Sequence, residues 1–531
     1  MQHEVEWQFD AEDAEHLAEV RAWLQKRASK SDLKLGEPTT HVFHDRYLDT
    51  DDWRFFRAGF ALRVREHEGG TLEATLKSLD AADQGARVRR ELREKLTRMR
   101  RSADFAALVV QAEGEVGQLV RAVVGNHALR VCFVLRTQRE VFPLHVDGAA
   151  AEVALDETHF AHDGKREAQV IYRIEVEAAP DVGDHALKAL TSFVDALRDK
   201  CDLEPSRFSK FELGLRAYKL KPQDYKPDLG TPATAKAAGE DPELGVLALA
   251  VLREHFAAFL HHEPGARLGI SAEGVHRMRV ATRRLRAALR FFRDALPASA
   301  QHFREELRWV TDALGAVRDL DVQRERLEQW HAQEPKADLT ALNADLSRRW
   351  QEARARMLEA LDSARFAQFV GEMSAWLRAP DDLPLLARQS ARALLPALLM
   401  KRYAAVRVLG DAITAESPAE SYHALRIQVK RLRYALESAA CLYPKVAESF
   451  VPRLIALQDL LGEHHDAHVA LEQLRAVAQS AALAESNRRA LDKLARHYAR
   501  QAAEAVECFP DAYQRICGKA WVRVLREIDE A

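Results

Sequence analysis

The hydrophobic periodicity changes once along this chain, and that change constrains the fold most. Up to about residue 215, apolar and polar residues alternate in short runs such as Arg173–Glu177. From about Pro242 onward, Ala, Leu, Arg and Glu recur at helical spacing, and prolines such as Pro264 and Pro510 are expected to mark helix ends. Because a period of two is typical of strands and 3.6 of helices, we expect a multidomain α+β protein: an antiparallel sheet decorated by helices, then an all-α domain.

A proline-rich segment separates the two parts. Between Lys221 and Pro232, prolines occupy positions 222, 227 and 232, and no hydrophobic periodicity is sustained. Such a composition is typical of a linker. The expected domains are a strand-rich domain over 1–218, a linker over 219–242 and a helical domain over 243–531.

The helical part contains an internal repeat. The segment His276–Arg286 recurs as His423–Arg433, at an offset of 147 residues. The same offset relates Leu314-Gly315 to Leu461-Gly462. A constant offset in two separate motifs indicates two homologous helical bundles, packed about a pseudo-two-fold axis. The expected repeats cover about 243–385 and 386–531.

The repeated segment carries a basic stripe. At 100° per residue, His276 and four arginines fall within an arc of about 80° on one helix face. Neither 276–293 nor 423–436 contains an acidic residue, and like charges four residues apart repel. The stripe therefore faces water, pairs with acids of neighbouring helices, or meets an anion; guanidinium groups favour phosphate because their fork donates two hydrogen bonds to it. The residues are Arg279, Arg283, Arg286 and Arg290 in the first copy, and His423, Arg426, Lys430 and Arg433 in the second.

Histidines at positions 464, 465 and 468 raise the question of a metal site. His464 and His468 share a helix face, but their counterparts in the first repeat are Val317 and Asp321, and no third ligand is evident. Structural zinc sites take four ligands. We therefore interpret these histidines as surface or phosphate-facing residues.

One face of each strand-like run is almost wholly charged. Glu4 and Glu6 share a face, as do Glu175 and Glu177, and other runs carry arginine or lysine instead. Periodicity leaves two arrangements open: the charged faces meet water, or the strands form a barrel with charged faces inside and room for one small ligand. In the second arrangement, glutamate pairs would hold divalent ions and basic residues would hold phosphates, which suits phosphoryl transfer.

Composition restricts the partners and the compartment. The chain has 78 Lys and Arg against 81 Asp and Glu, so attraction to polyanions requires local segregation of charge. Five scattered cysteines without a C-x-x-C pair argue against a disulfide framework and for a reducing compartment. No uncharged apolar run reaches the ~20 residues of a bilayer-spanning helix. We therefore expect a cytoplasmic protein without a membrane partner.

An ordered series of motifs runs through the strand-rich part. These are Glu4-Val5-Glu6, Tyr47–Thr50, Leu62–Arg65, Thr75–Lys77, Arg89–Glu91, Arg139, Glu152–Asp156, Glu175–Glu177 and Ser209-Lys210. The series resembles, in family order, the CYTH domain of the triphosphate tunnel metalloenzyme superfamily. The helical part, with two copies of His-x-x-Arg-x-x-x-Arg/Lys-Arg-Leu-Arg and of Leu-Gly-x-x-x-Asp, resembles the CHAD domain. The whole chain therefore resembles a CYTH–CHAD fusion protein.

This resemblance implies a fold, an activity and a set of site residues. The CYTH part implies an eight-stranded antiparallel β-barrel that forms a tunnel with helices outside, and Mg²⁺- or Mn²⁺-dependent hydrolysis of inorganic triphosphate or related triphosphates. The CHAD part implies binding of inorganic polyphosphate and association with polyphosphate granules. By matching positions, the resemblance implies that the metal ligands are Glu4, Glu6, Glu175 and Glu177. It implies that the phosphate-binding residues, which with Glu4 and Glu6 form the catalytic set, are Arg63, Arg65, Lys77, Arg89, Arg139 and Lys210. The residues implied to contact polyphosphate are His276, Arg279, Arg283, Arg286, His423, Arg426, Lys430 and Arg433.

Three residues depart from the CYTH pattern. Gln8 stands where the family carries lysine, and Arg93 and Arg173 stand where many members carry glutamate. Loss of one preorganised polar contact can raise a reaction barrier by about 2.7–4 kcal/mol. We expect a metal-dependent triphosphatase with a polyphosphate-binding helical domain; the alternative is a non-catalytic polyphosphate-binding or granule-associated protein with a degenerate tunnel. Nucleic acid is disfavoured as a partner because the stripe helices offer few aromatic residues for stacking on bases.

Overall fold

The structure, a computed structural model, describes residues 2–28, 33–79, 86–97, 104–160, 169–179, 182–333, 339–478 and 485–530. The chain forms two compact units. The sheet unit comprises Met1–Lys226 and His262–Gly274, and the helical unit comprises Pro227–His261 and Val275–Ala531. Residues 262–274 therefore belong to the sheet unit although they follow the first residues of the helical unit in sequence.

The sheet unit is built on one antiparallel sheet. Its strands are β1 (Gln2–Ala11), β2 (Lys34–Leu35), β3 (Thr39–Thr50), β4 (Phe60–His67), β5 (Leu72–Ser78), β6 (Ala86–Leu96), β7 (Leu129–Val146), β8 (Ala149–Phe160), β9 (Val170–Ala178) and β10 (Glu204–Pro205). The hydrogen-bonded order is β10-β1-β6-β5-β4-β3-β7-β8-β9, and β2 pairs with β7. Strand β1 also pairs with β9, so strands from the two ends of this path lie side by side.

The strand count corrects the expectation of an eight-stranded barrel. The sheet has ten strands, because β10 extends the path beyond β1 and β2 adds to β7. Each of these two strands is only two residues long, which is too short to show a period of two in the sequence. The strand-rich part is therefore a ten-stranded antiparallel sheet, not the expected barrel of eight strands.

The apolar faces of the strands pack against helices. The helices of the first 226 residues are α1 (Ala14–Ala28), α2 (Arg54–Arg57), α3 (Phe105–Gln111), α4 (Glu115–Val124), α5 (Asp184–Lys200) and α6 (Lys210–Ala217). One core joins Leu24 of α1 and Leu190 of α5 to Val176 of β9. A second core joins Val64 of β4 to Val120 of α4. Because side chains alternate across a strand, the charged side chains of β4 and β9 point away from these cores.

The helices of the remaining chain follow the sequence repeat. They are α7 (Leu244–Leu268), α8 (Ala272–Phe291), α9 (Ala300–Gln333), α10 (Thr340–Asp362), α11 (Ala364–Arg378), α12 (Ala391–Gly410), α13 (Ala419–Ser438), α14 (Pro444–Ala478), α15 (Glu485–Gln514) and α16 (Lys519–Asp529). Helices α7 and α12 begin 147 residues apart, at Leu244 and Ala391, and α8 and α13 do the same, at Ala272 and Ala419. The two stripe helices α8 and α13 are both 20 residues long.

Helix α7 is long and apolar, and it contains a proline. Among the described helices, it is the one long and apolar enough to cross a membrane by length and composition, and 61% of its apolar window is buried inside the protein. Pro264 lies inside it, as Pro510 lies inside α15. The expectation that these prolines end helices is therefore wrong, because packing can override a local penalty of about 3 kcal/mol.

Candidate functional site

A cavity of about 350 Å³ lies on the charged side of the sheet. Strand alternation builds its wall: on β1, Trp7 and Phe9 pack into the core, whereas Glu6 and Gln8 line the cavity. Among the described residues, the charged lining is nearly balanced, with six basic and five acidic side chains. These are Arg63, Arg65, Lys77, Arg93, Arg139 and Lys210, and Glu6, Glu91, Glu175, Glu177 and Glu212.

The cavity brings together most of the residues that the sequence nominated. Eight of the ten nominated for the strand-rich part line it: Glu6, Arg63, Arg65, Lys77, Arg139, Glu175, Glu177 and Lys210. The side chains of the other two, Glu4 and Arg89, lie outside the part of the structure that is described. The inward arrangement of charged faces, left open by periodicity, is the one observed.

One pair of cationic residues is organised by an aspartate that sequence analysis did not nominate. Asp45 is fully buried and accepts two hydrogen bonds from Arg65, at 2.7 and 2.8 Å. Arg63 lies 3.9 Å from the same carboxylate and donates to Thr75 Oγ1 at 3.3 Å. Burial alone would raise the pKa of Asp45, but the guanidinium groups of Arg65 and Arg63 outweigh it and hold the pKa well below its usual range. Asp45 therefore stays ionised and fixes Arg65.

A second network surrounds Asp156, which is also fully buried. Arg139 donates to its two oxygens at 2.7 and 2.6 Å and also binds Glu175. Lys210, the first residue of α6, binds Asp156 and lies 3.0 Å from Glu175. Burial disfavours the charged form of Glu175, but Lys210, Arg139 and Arg173 outweigh burial and hold its pKa well below the usual range. Two carboxylates and two cations thus form one buried network.

Gln8 sits between two carboxylates of the cavity. Its Nε2 donates to Glu6 Oε1 at 3.1 Å and to Glu175 Oε1 at 3.3 Å. Its Oε1 is buried and has no hydrogen-bond partner among the described residues. Lys77 approaches the same region, 3.3 Å from Glu6 and 3.4 Å from Glu91. A neutral amide therefore bridges Glu6 and Glu175 at the position where CYTH motifs carry a lysine.

Arg93 and Arg173, the two arginines that depart from the CYTH pattern, have different surroundings. Arg93 lines the cavity, donates to Glu91 at 2.7 Å and lies 3.8 Å from Glu177. Arg173 is fully buried and does not belong to the cavity lining; it donates to Asp10 and to the backbone carbonyl of Phe208. Arg93 therefore adds a positive charge to the cavity wall, whereas Arg173 ties β9 to β1 and to the chain before α6.

The donor atoms of this cavity suit a hard divalent cation. Oxygens of Glu6 and Glu175 converge on the same Gln8 nitrogen, and the unpartnered Gln8 Oε1 is a further oxygen beside them. Mg²⁺ and Mn²⁺ prefer oxygen ligands. The described side chains include no group of three or more His, Cys, Asp or Glu already arranged to hold a metal. The residues thus fit such a cation in kind, without forming a complete set of ligands.

A second concave surface, the cleft, has a volume of about 620 Å³ and lies in the helical unit. Both repeats contribute, with His276, Arg279 and Arg283 from α8 and His423, Arg426 and Lys430 from α13. Among the described residues, the lining contains seven arginines and lysines but only two acids. Besides the four on α8 and α13, the basic residues are Arg318, Arg326 and Arg349; the acids are Asp319 and Asp466.

The cations of the cleft repel one another. Burial, followed by the charges of Arg426 and Arg283, lowers the pKa of Lys430 to about 7. The Nε atoms of Arg279, Arg283 and Arg426 are buried and have no hydrogen-bond partner among the described residues. Such unsatisfied donors in a field of like charge favour an anion as the missing partner.

Two nominated stripe residues do not line the cleft. Arg286 lies near Asp312 as well as Arg290, Arg308 and Arg304, and Arg433 lies 3.4 Å from Glu437. The helical-wheel arc placed them with the others because it took no account of the neighbouring helices. Ion pairing also occurs within the cleft, between Arg279 and Asp319 at 3.1 Å and between Arg326 and Asp466 at 2.7 Å. The stripe is therefore partly neutralised by acids from other helices.

The histidines of α14 separate into two environments. His464 is 3% exposed, packs against Tyr422 and His468, and has a pKa lowered by burial to about 4. The interpretation of His464 as a surface residue is therefore wrong. His465 lines the cleft, with its ring 4.3 Å from that of His423. His465 is thus a cleft residue that the stripe pattern alone did not nominate.

Comparison with protein families agrees with both units. The family model of the CYTH domain matches residues 4–211, and that of the CHAD domain matches residues 250–475. The class is thus a two-domain protein in which one domain has a charged sheet cavity and the other is a basic helical bundle. The chain belongs to the proteins that combine a CYTH domain with a CHAD domain, which confirms the resemblance seen in the motifs.

Three of the similar solved structures cover between 42% and 53% of this chain. PptA from Streptomyces chartreusis is 23% identical, with 51% of this chain and 99% of that chain covered and a TM-score of 0.43. The CHAD domain from the plant Ricinus communis is 26% identical, with 53% and 96% covered and a TM-score of 0.43. HpAC1 from Hippeastrum, for which a dominant triphosphatase activity is described, is 19% identical, with 42% and 99% covered and a TM-score of 0.30. No curated protein matches the chain in sequence.

Proposed function

We propose that the sheet unit is a metal-dependent inorganic triphosphatase, or a hydrolase of a related triphosphate, and that the helical unit binds inorganic polyphosphate. The observation that carries the first part is the convergence of eight nominated residues in one cavity of about 350 Å³. Membership of the CYTH family supports a hydrolase of triphosphates. The compartment that fits this proposal is the cytoplasm, at polyphosphate granules.

In this proposal, the two walls of the cavity have different roles. Glu6, Glu175 and Glu177, with Glu4, would hold Mg²⁺ or Mn²⁺. The bound cation would neutralise phosphate charge and help to position the attacking water. Arg63 would bind a phosphate most directly, because its Nε is buried without a partner among the described residues.

The buried aspartates would act as positioning residues. Asp45 holds Arg65 through two hydrogen bonds, and Asp156 holds Arg139 in the same way. A guanidinium group fixed in this manner loses little conformational freedom when a phosphate arrives. The cavity is thus prepared for an anion before the substrate binds.

The test of the catalytic proposal is phosphate release from tripolyphosphate by the full chain, with Mg²⁺, Mn²⁺ or a chelator. Glu6→Gln with Glu175→Gln should lower the rate at least a hundredfold, because it removes two of the proposed metal ligands. Glu37→Gln, at an exposed position outside the cavity lining, is the matched control. Turnover that needs no metal, or that survives the double substitution, would refute the proposal.

A non-catalytic sheet unit is the second candidate. The observation that favours it is the Gln8 amide, which occupies the point between Glu6 and Glu175 without supplying a charge. This candidate requires salt-sensitive polyphosphate binding by the full chain and no metal-stimulated turnover. The same hydrolysis assay separates it from the first.

The helical part of the proposal is tested by binding of long-chain polyphosphate to the full chain. Arg283→Gln with Arg426→Gln should weaken binding at least tenfold, since both residues line the cleft with unpartnered Nε atoms. Arg348→Gln with Arg500→Gln, at exposed positions paired with acids on their own helices, is the control. Competition with DNA at one salt concentration distinguishes polyphosphate from nucleic acid, because both interactions depend on salt.

A further inference from the structure

The helical unit contains another basic concavity, the end pocket, with a volume of about 320 Å³. It lies where the end of α8, the turn that follows it, and helices α9 and α12 come together. Its lining holds five basic residues and one acid. The lining residues are Arg290, Phe291, Arg293, Asp294, Arg304, Leu398, Lys401 and Arg402.

The single carboxylate of the end pocket is already engaged. Asp294 is paired with its neighbour Arg293, whose Nε lies 3.0 Å from Asp294 Oδ1. The hydrogen bonds described for the other arginines go to neutral oxygens: Arg304 donates to Gln301 Oε1 at 2.7 Å, and Arg402 donates to the backbone carbonyl of Arg290 at 3.4 Å. The lining therefore carries an excess of positive charge that its own acid does not neutralise.

The arrangement of the pocket's arginines is electrostatically unfavourable without a ligand. Burial, and then the charges of Arg431 and Arg304, lower the pKa of Arg290. Burial, and then Arg290 and Arg293, lower the pKa of Arg402. Arg402 also lies over the ring of Phe291, with its guanidinium carbon 5.9 Å from the ring centroid. The guanidinium groups are therefore gathered by the fold in spite of their mutual repulsion.

The end pocket shares no lining residue with the cleft. Helix α8 nevertheless connects them, since Arg279 and Arg283 line the cleft and Arg290 lines the end pocket. Arg290 lies seven positions after Arg283, which corresponds to about 10 Å along the helix axis. Arg286 lies between them in sequence, near the carboxylate of Asp312 and near Arg290. Arginines thus occur along α8 from one concavity to the other.

We propose that the end pocket is a second phosphate-binding site of the helical unit. It binds a phosphate group within the same polyphosphate chain that occupies the cleft. This inference rests on the proposed binding of polyphosphate by the cleft. Guanidinium groups bind phosphate oxygens through paired, charge-assisted hydrogen bonds. The site explains why Arg290 belongs to the stripe although it does not line the cleft.

The decisive experiment measures binding of long-chain polyphosphate to the wild-type full chain and to two double variants of it. Arg290→Gln with Arg402→Gln should weaken binding about tenfold. It should also make the negative slope of log K against log salt less steep by about 1.4, since each lost contact with a single-stranded polyanion contributes about 0.7. The matched control Arg348→Gln with Arg500→Gln should leave both quantities unchanged. End-pocket variants indistinguishable from this control would overturn the proposal.

A local measurement identifies the source of the phosphate. Phenylglyoxal labelling of Arg290 and Arg402, read by peptide mass spectrometry, should decrease when long-chain polyphosphate is added and remain unchanged with orthophosphate. In the cleft variant Arg283→Gln with Arg426→Gln, that protection should be lost if one chain reaches both sites. Equal protection by orthophosphate would refute the proposal that one polyphosphate chain occupies both sites, and would indicate that the end pocket binds free phosphate. Wild-type binding by the cleft variant would instead defeat the proposed function of the cleft.

Discussion

The buried carboxylate of Asp156 offers the sharpest test of how the cavity is held together. Arg139 donates two hydrogen bonds to it and Lys210 binds it as well. Asp156→Asn keeps the shape of the side chain but removes its charge. Two buried cations then lose one of their counter-charges, and breaking a buried ion pair on one side typically costs about 3–5 kcal/mol.

The structure places the expected cost near the lower end of that range. Glu175 contacts both Arg139 and Lys210, so neither cation is left without a carboxylate. We therefore expect the free energy of unfolding of the sheet unit to fall by about 3 kcal/mol. With a urea dependence of about 3 kcal/mol per molar, the unfolding midpoint should drop by about 1 M.

Pulsed hydrogen exchange along a urea series, read on peptides from β7 and β8, reports this midpoint for the sheet unit alone. Glu157→Gln is the matched control, because Glu157 is the next residue on β8, is 38% exposed and pairs with His159; its cost should stay below about 1 kcal/mol. Asp156→Asn with Lys210→Met should cost less than the sum of the two single changes, since it removes a cation together with its counter-charge. Additive costs, or equal midpoints for Asp156→Asn and Glu157→Gln, would refute the reasoning.

Three further predictions follow from individual side chains. Gln8→Lys should raise the initial rate of metal-dependent tripolyphosphate hydrolysis by about 10²–10³, the value of one preorganised polar contact; an unchanged rate would show that this contact does not limit turnover. Burial and neighbouring arginines lower the pKa of Lys430 to about 7, so this side chain is charged below that pH. Polyphosphate should therefore bind about tenfold more tightly at pH 6 than at pH 8, and Lys430→Arg should abolish the part of this difference that Lys430 contributes. A Cβ at Gly214 would meet the ring of Phe133 at 2.1 Å, so Gly214→Ala should lower the urea midpoint of the sheet unit, at a cost of about 1–3 kcal/mol.

The sequence was sufficient to find which side chains share the cavity, because strand alternation decides which residues point to the same side. Glu6 and Gln8 on β1, and Glu175 and Glu177 on β9, follow directly from the period of two. It was not sufficient to find their partners. Asp45 of β3 lies directly opposite Arg65 of β4. The register between two strands sets this pairing, and the alternation of side chains along one strand does not determine the register.

Asp156 and Arg139 illustrate the same limit, since they are direct cross-strand partners on β8 and β7. Both residues belong to motifs visible in the sequence, but only the register shows that they form a pair. In the helical part, the constant offset between the motifs is also the offset between the starts of α8 and α13. The arc of the stripe could not separate Arg283 from Arg286, because the side of α8 that faces α13 depends on packing between helices.

The charge balance of the two concavities explains why one protein would contain both. Among the described side chains of the sheet cavity, six basic residues and five acids form the lining, and Asp45 and Asp156 bind three of those basic residues. The described part of the wall therefore has no excess of positive charge. A triphosphate therefore gains little there unless a divalent cation occupies the carboxylates. In the cleft, seven arginine and lysine side chains meet two acids, so a polyanion is attracted without any metal. A chelator should consequently abolish turnover and leave polyphosphate bound, a separation that a single shared phosphate site could not produce.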